Sequence, residues 1–497
     1  MNKPKRLLLF LFASVALTNY QSVIAATYYV SKSGKNTNPC TETAPCLTIN
    51  QGLSKAVVPG DTVIVKQGTY VETVGEWNSG APGKPITVKA NPGETVIWRS
   101  GSQDITSLSG AISIYYTSYI RIEGFTFDGS TPKSVIRVLG PLVNRKDTHP
   151  VVVGIEIVNN IFSNNGNNGI GGNSFSKIIY LQGIGNGSSY SGPPINVISG
   201  NRFQNNYGCD ILLQQSNDTR ISDNISVNLH GSQAGAENFY QFLARSIFLG
   251  VGAARNIVER NMISSMSKES YVTAGYAAGG LRLDAGASNN VFQDNIIHDL
   301  DYSGSGGSGI FNESGCDYNL FQRNIVYNIS GKGIMDGSTE TNAPVGSRWV
   351  NNTVVNCKGG GIALSNSKGT VIENNLFANN GGYQIFVSTK SVTNGGHVIR
   401  NNDYFWSTGS KIGVWNGSNS YGSADLTFAQ WVAASHDNNS VSIDPKFMNL
   451  PGDLHLQAIS PVRGVGTGGV DMGAYQAQLA TLISTPKPPK GLRVLSQ

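Results

Sequence analysis

Asparagine returns along this chain at intervals that a solenoid explains better than any other architecture. It stands just before a short apolar pair in NNIFSNN, GNRFQNN, DNISVN, RNMISS, DNIIHD, RNIVYN, NNTVVN, NNLFANN and NNDYF. With Asn160, Asn201, Asn224, Asn261, Asn295, Asn324, Asn352, Asn375 and Asn402 as markers, the intervals are 41, 23, 37, 34, 29, 28, 23 and 27 residues. Periods in this range belong to repeat folds, and the shortest is the length of one uninterrupted coil.

A second series of apolar anchors follows ten residues after many of these markers: Ile170, Ile211, Ile334, Ile362, Ile385 and Ile412. Each coil therefore holds an asparagine turn and two or more short strands, none able to bury an apolar face alone. Stacking like coils resolves this, because each strand pairs with its copies about 4.8 Å above and below. The asparagine amides, each with donors and an acceptor, can then bond from turn to turn. The expectation is an all-β parallel β-solenoid. Leucine-rich repeats need denser leucine, and propeller blades a longer, more even period.

Three coils depart from the ten-residue interval. Asn224 to Ile247 is 23 residues, Asn261 to Leu281 is 20 and Asn295 to Ile310 is 15. The extra residues include His230, Glu237, Tyr240, Lys268, Glu269, Tyr271, Tyr276, His298, Asp299, Asp301 and Tyr302. Insertions stacked at one corner of a repeat fold commonly build a binding surface. Long loops are also simply tolerated, since closing them costs little.

Residues 1–26 carry Lys3, Lys5 and Arg6, an apolar run from Leu7 to Leu17, and small residues at Ala25 and Ala26. This pattern predicts a secretory signal, too short to span a bilayer in the mature protein. The expected product is secreted, periplasmic or extracellular, with no membrane span. The 36 basic residues exceed the 31 acidic ones, but six of the basic residues lie in the signal and the Pro-rich tail at residues 477–497. The remainder is near neutral, so net charge gives no argument for nucleic acid.

Five cysteines in an exported chain permit at most two disulfides, and Cys40 with Cys46 is the expected pair. Cys209, Cys316 and Cys357 read as small core residues. No metal-type cysteine or histidine spacing and no organic-cofactor motif stand out. The mature chain opens with TYYVSKSGKN, and LTINQGLSKAV follows as a short helix. Its apolar face of Leu47, Ile49, Leu53, Ala56 and Val57 would cap the open end of the solenoid. Near the other end, DLTFAQWVAASHD predicts a helix that packs Leu426, Phe428, Trp431 and Val432 on the last coils.

The phrases YYVSKSG, PGDTVIVKQGTYVETV, GKPITVKANPG and IDPKFMNLPGDLHLQAISPVRGVGTGGVDMGAYQ resemble secreted right-handed parallel β-helix proteins of the pectate-lyase-like superfamily. The resemblance covers residues 27–476 and implies a single-stranded right-handed parallel β-helix domain over that span. It extends to lyases, glycoside hydrolases and uronan epimerases alike, so it implies a polysaccharide substrate and leaves the reaction open. The NTD, adjacent DD and GHG series of polygalacturonases is absent, as is the DPHD of alginate epimerases. There is no match to an Asp-rich calcium cluster with a catalytic lysine.

Strand alternation turns residues one and three after each anchor outward. Arg282 and Asp284 follow Leu281, and Phe311 and Glu313 follow Ile310. Asp284 and Glu313 are therefore expected at one rung position on adjacent coils. Asp336 follows on the next coil, although strict alternation would turn it inward. In a β-elimination, Arg282 or Lys268 would serve as base with Lys332 as helper, and Asp284, Asp301 and Glu313 would hold calcium. In a glycoside hydrolysis, Asp284 and Glu313 would pair at about 5 Å, or Asp284 and Asp336 at about 6.5 to 9.5 Å. Tyr271, Tyr276, Tyr302 and His298, with Lys332 and Asp336, would contact sugar. Salt bridges confined to the surface would equally explain Arg282 with Asp284 or Glu313. The readings are a monomeric polysaccharide lyase first, a hydrolase second and a non-catalytic glycan-binding protein third.

Overall fold

The computed structural model describes residues 24–104, 107, 110–142, 147–166, 176–185, 192–231, 244–266, 278–301, 307–313, 315–337, 342–409, 411–418, 425–434 and 436–476. It is the expected all-β parallel β-helix. Three long sheets run its length: a first of 13 strands, from Thr27–Val30 to Val398–Arg400; a second of 12, from Gly68–Val71 to Asp403–Phe405; and a third of 12, from Ile112–Tyr115 to Leu426–Thr427. From Ile86–Ala90 to Lys411–Gly417 each coil contributes one strand to each sheet in turn, so neighbours there are parallel and lie one coil apart in sequence, and Leu426–Thr427 closes the third sheet as an antiparallel partner of Lys411–Gly417. No helix among the described residues is long and apolar enough to cross a membrane.

The asparagine markers form one continuous ladder inside the turn between the first and second sheets. From Asn160 through Asn402, each backbone N–H and each side-chain amide donates to the Oδ1 of the next asparagine, at 2.8–3.2 Å. The residue before each ladder asparagine has a positive φ, from Asn159 at 56° to Asn401 at 54°. That left-handed step turns the chain so that the asparagine side chain lies inside the coil. A shorter ladder, Asn256–Asn290–Asn319, does the same work at the turn from the third sheet to the first.

Inside, apolar rings stack with the coils: Phe127, Phe162 and Phe203 at 4.9 Å steps, and Phe321 on Trp349 at 3.9 Å. The first end is closed by the helix Ile49–Lys55, capped by the Thr48 side chain. Ile49, Leu53 and Ala56 are buried, whereas Leu47, ahead of the helix, is half-buried and Val57 is exposed, so the buried face is two residues narrower than expected. The Cys40–Cys46 disulfide lies beside this cap. At the far end the helix Phe428–Ala433, opened by a Thr427–Gln430 capping box, buries Trp431 and leaves Val432 exposed.

Two anchors are corrected. Ile170 lies outside the described residues, and Ile179 takes the anchor place by pairing with Ile136 and Ile211. The interval from Asn160 is therefore 19 residues, so a fourth coil carries an insertion. In the last coil Gly413, not Ile412, pairs with Ile385.

Candidate functional site on the third sheet

The third sheet departs from simple alternation just before its anchors. A Cβ added to Gly280 would meet Ile297 Cγ2 at 2.6 Å, one on Gly309 would meet Val326 Cγ1 at 2.4 Å, and one on Gly333 would meet Val354 Cγ1 at 2.3 Å. The position before each anchor thus faces the core, as the anchor itself does. The position two before the anchor is thereby turned outward. It holds Lys177, Cys209, Arg245, Gly279, Ser308 and Lys332 in register.

One column further along, the outward residues are Arg137, Tyr180, Leu212, Phe248, Arg282, Phe311 and Met335. The described part of this face therefore carries five cations, with Asp284 and Glu313 at its edge. Lys177 and Arg245 were missed by the sequence reading because the reversal before the anchor has no signature beyond a glycine in four of the coils, at Gly280, Gly309, Gly333 and Gly361; Arg137 follows its anchor Ile136 in a coil that precedes the asparagine markers.

Arg282 is the centre of the face. Its Nη2 pairs directly with Glu313 and lies 3.8 Å from Asp284, and its guanidinium sits 4.5 Å above the Phe311 ring. The residue is only 2 % exposed, yet its Nε and Nη1 have no hydrogen-bond partner among the described residues. Arg245, one coil away, lies 4.2 Å over Phe248 and is equally buried. Burial, helped by the like charge of Arg282, pulls the Arg245 pKa down to about 9. Burial likewise lowers Lys177 and Lys332 to about 8.

Asp284 and Glu313 occupy the same rung on adjacent coils, Glu313 N–H bonding Leu283 O. Lys332 reaches the same face two coils beyond Arg282. Asp336 does not. It pairs with Asn312 in an inward column, is fully buried, and accepts from Asn312 Nδ2 and Thr370 Oγ1, both at 2.8 Å. Burial raises its pKa, and it cannot contact sugar or pair with Asp284 across a glycosidic bond. His298 lies on the second sheet, stacked at 4.8 Å on Tyr327 and bonded to Asp299 at 2.6 Å, on a different face from Arg282. Lys268, Tyr271, Tyr276 and Tyr302 lie outside the described residues.

The proposed calcium ligands do not fit that ion. Asp301 follows the second-sheet strand Ile296–Leu300, whereas Glu313 follows the third-sheet strand Ser308–Asn312, so the two stand on different sheets of the coil. Glu313 is committed to Arg282. No group of three or more acidic, histidine or cysteine side chains among the described residues is placed to hold a metal.

These features define a parallel β-helix with a buried cationic and aromatic face on one sheet. No known protein-family profile matches the chain. A 94-residue stretch is 37% identical to the uncharacterized protein YwoF of Bacillus subtilis (strain 168), which is 19% of this chain and 18% of that protein's length. The chain thus spans less than a fifth of that relative. Among solved structures, similarity extends to lacto-N-biosidase of Eubacterium ramulus, with 14% identity, 84% of this chain, 68% of that chain and a TM-score of 0.46. It extends also to the mannuronan C-5 epimerase AlgE6 A-module of Azotobacter vinelandii, with 12% identity, coverage of 78% and 91%, and a TM-score of 0.47. Pectate lyase Pel9A is similar at 14% identity, coverage of 91% and 97%, and a TM-score of 0.42.

Proposed function

We propose that this chain is an exported polysaccharide-processing enzyme that cleaves a uronate-bearing glycan by β-elimination on the third sheet. The observation that carries the reading is Arg282: a buried guanidinium with two unpartnered nitrogens, held by Glu313 beside a second buried arginine. Unpartnered buried donors are costly, and an anionic ligand oxygen is their natural complement. Arg282 binds the uronate carboxylate and draws charge from the adjacent carbon. Arg245, rather than Arg282, is the base, because Arg282 is fixed by its ion pair and Arg245 has its hold on the proton weakened.

The proton on the carbon bearing the carboxylate passes to neutral Arg245. The carbon–carbon double bond forms as the neighbouring carbon–oxygen bond breaks, and the departing oxygen takes a proton from water. Hydrolysis by Asp284 and Glu313 is the weaker reading, since Glu313 already serves Arg282 and neither carboxyl stands apart from that charge. The names of the similar structures include a lyase, an epimerase and a glycosidase, which agrees with a glycan substrate and does not choose among reactions.

The test is ultraviolet absorbance and reducing-end release from a panel of uronate polysaccharides, with and without a chelator. Elimination predicts both signals together, with the chelator leaving them in place. Reducing ends without absorbance would overturn elimination and return the choice to Asp284 and Glu313; silence in both would leave a binding protein.

A further inference from the structure

The last coils carry a cleft on a different sheet from Arg282. After the final coil the chain forms a short antiparallel hairpin, Phe447–Asn449 with Asp453–Leu456. Leu454 of this hairpin is buried in one cluster with Val355, Leu376 and Ala378 of the second sheet, which fixes the hairpin on that sheet's outer surface. The packing does not reach the sheet's end. There a cavity of about 300 Å³ remains, lined on the sheet side by Asn379 and Phe405 and on the hairpin side by Phe447, Leu450 and Gln457. Asp444 and Lys446 complete the lining, joined by an ion pair of 2.7 Å. Each polar group here is only half engaged. Gln457 donates through Nε2 to Phe447 O at 2.8 Å, which leaves its Oε1 to accept. Asn379 accepts through Oδ1 from Ser407 N–H at 2.8 Å, which leaves its Nδ2 to donate. Lys446 gives Asp444 one of the three hydrogens that an ammonium carries.

We propose that this cleft is a binding site for a neutral hexose, alone or as a disaccharide. Its volume lies at the small end of ligand pockets, which run from about 300 to 1,000 Å³, so it holds a ring or two and not a chain. The lining is the mixture that a pyranose needs. Phe405, Phe447 and Leu450 offer apolar surface to the C–H face of the ring. The Asn379 amide, the Gln457 carbonyl, the Lys446 amine and the Asp444 carboxylate supply donors and acceptors side by side, and neighbouring sugar hydroxyls both give and take hydrogen bonds. Charge argues against an acidic sugar. The one carboxylate and the one amine of the lining already neutralise each other, so a uronate would bring a charge with no counter-ion. Leu450 is 43% exposed, and a seated ring would cover it. The proposal does not depend on elimination at Arg282, because the two sites share no residue.

Saturation-transfer NMR and calorimetry on the intact mature protein test this. The probes are glucose, galactose and mannose, with galacturonate as the acidic control and sorbitol as the open-chain control. At least one hexose is expected to bind in the millimolar range, roughly tenfold tighter than sorbitol, because an open chain has no C–H face to lay on the rings. Galacturonate should bind no tighter than galactose. Phe447→Leu keeps apolar bulk and removes the ring, and should weaken the hexose roughly threefold to tenfold. Lys446→Asn removes the amine, and asparagine tolerates the φ of 54° at this position; it should weaken the hexose roughly tenfold. Lys446 is exposed and its backbone bonds to Asp444 and Gln457 remain in the variant, so this substitution decides the matter if Phe447→Leu lowers the urea unfolding midpoint. The proposal is overturned if no hexose gives a signal up to tens of millimolar, if sorbitol binds as well as the hexoses, if galacturonate binds tighter than galactose, or if Lys446→Asn leaves hexose binding unchanged.

Discussion

Asn261 shows how much of the fold rests on one buried amide. Its Oδ1 accepts from Asn224 N–H at 3.1 Å and Asn224 Nδ2 at 3.0 Å, and its Nδ2 donates to Ile221 O at 3.0 Å and Asn295 Oδ1 at 3.0 Å, with Glu259 O at 3.1 Å sharing a hydrogen. An amide has two donor hydrogens and two acceptor lone pairs, so four bonds is its full capacity. At about 1 kcal/mol net each, Asn261→Ala should cost about 4 kcal/mol, with little cavity relief because the neighbouring amides cannot reach across. The half-buried Asn228, which among the described residues bonds Asn205 Oδ1 at 2.7 Å and has a φ of 55°, serves as control and should lose about 1–2 kcal/mol on truncation, chiefly from the left-handed step that alanine adopts less readily. Urea unfolding gives the global difference, and native-state hydrogen exchange at the Asn224 amide gives the local one, where opening should rise by several hundredfold, about 4 kcal/mol. If Asn261→Ala and Asn228→Ala lowered stability equally, the ladder would be a consequence of stacking and not a cause of it.

Three further outcomes are expected. With Arg245 as base and its pKa near 9, elimination should quicken about tenfold per pH unit from 7 to 9 and then level, and Arg245→Met should abolish it; a flat profile measured by absorbance would refute the assignment. Glu313→Gln should destabilise by about 3–5 kcal/mol in urea unfolding, because it leaves the buried Arg282 charge without its counter-ion, while Glu42→Gln on an exposed loop should not. Burial raises the Asp210 carboxyl from 3.8 to about 7, so folding favours its protonated form. That contribution is complete below about pH 4 and is lost as pH rises through about 7, and Asp210→Asn should remove this slope from a stability–pH series.

The first and second sheets were readable because their turns use one residue type for one reason. The short asparagine amide both accepts and donates along the stack, and its repeated use marks the coils directly. The third sheet was readable only from its anchor onward, where alternation holds and places Arg282, Asp284, Phe311 and Glu313 correctly outward. Before the anchor two successive positions face the core, which alternation cannot anticipate, and Lys177 and Arg245 were lost with them. Asp336 was ambiguous for the opposite reason: alternation turned it inward, while its charge argued outward. The core accommodates it by protonation-favouring burial and by the amide of Asn312, which stands at the same inward position one coil earlier. His298 misled because an interval between markers locates an insertion without saying on which sheet a given side chain falls.

The ladder and the cationic face are linked through spacing. Nine asparagines bonded from coil to coil hold the turns at a constant rise, and that rise is passed to every outward column of the third sheet. A side chain on this face is therefore placed along the axis to within the tolerance of the hydrogen bonds beneath it. Such a face is suited to a ligand that is itself periodic, because each added sugar meets a surface already in phase with it. Loops alone would not provide this, since they fix neighbouring groups but not groups several coils apart. Changes that loosen the ladder between Asn160 and Asn295 should accordingly shift the third-sheet side chains along the axis and weaken ligand binding there, even where Arg282 is untouched.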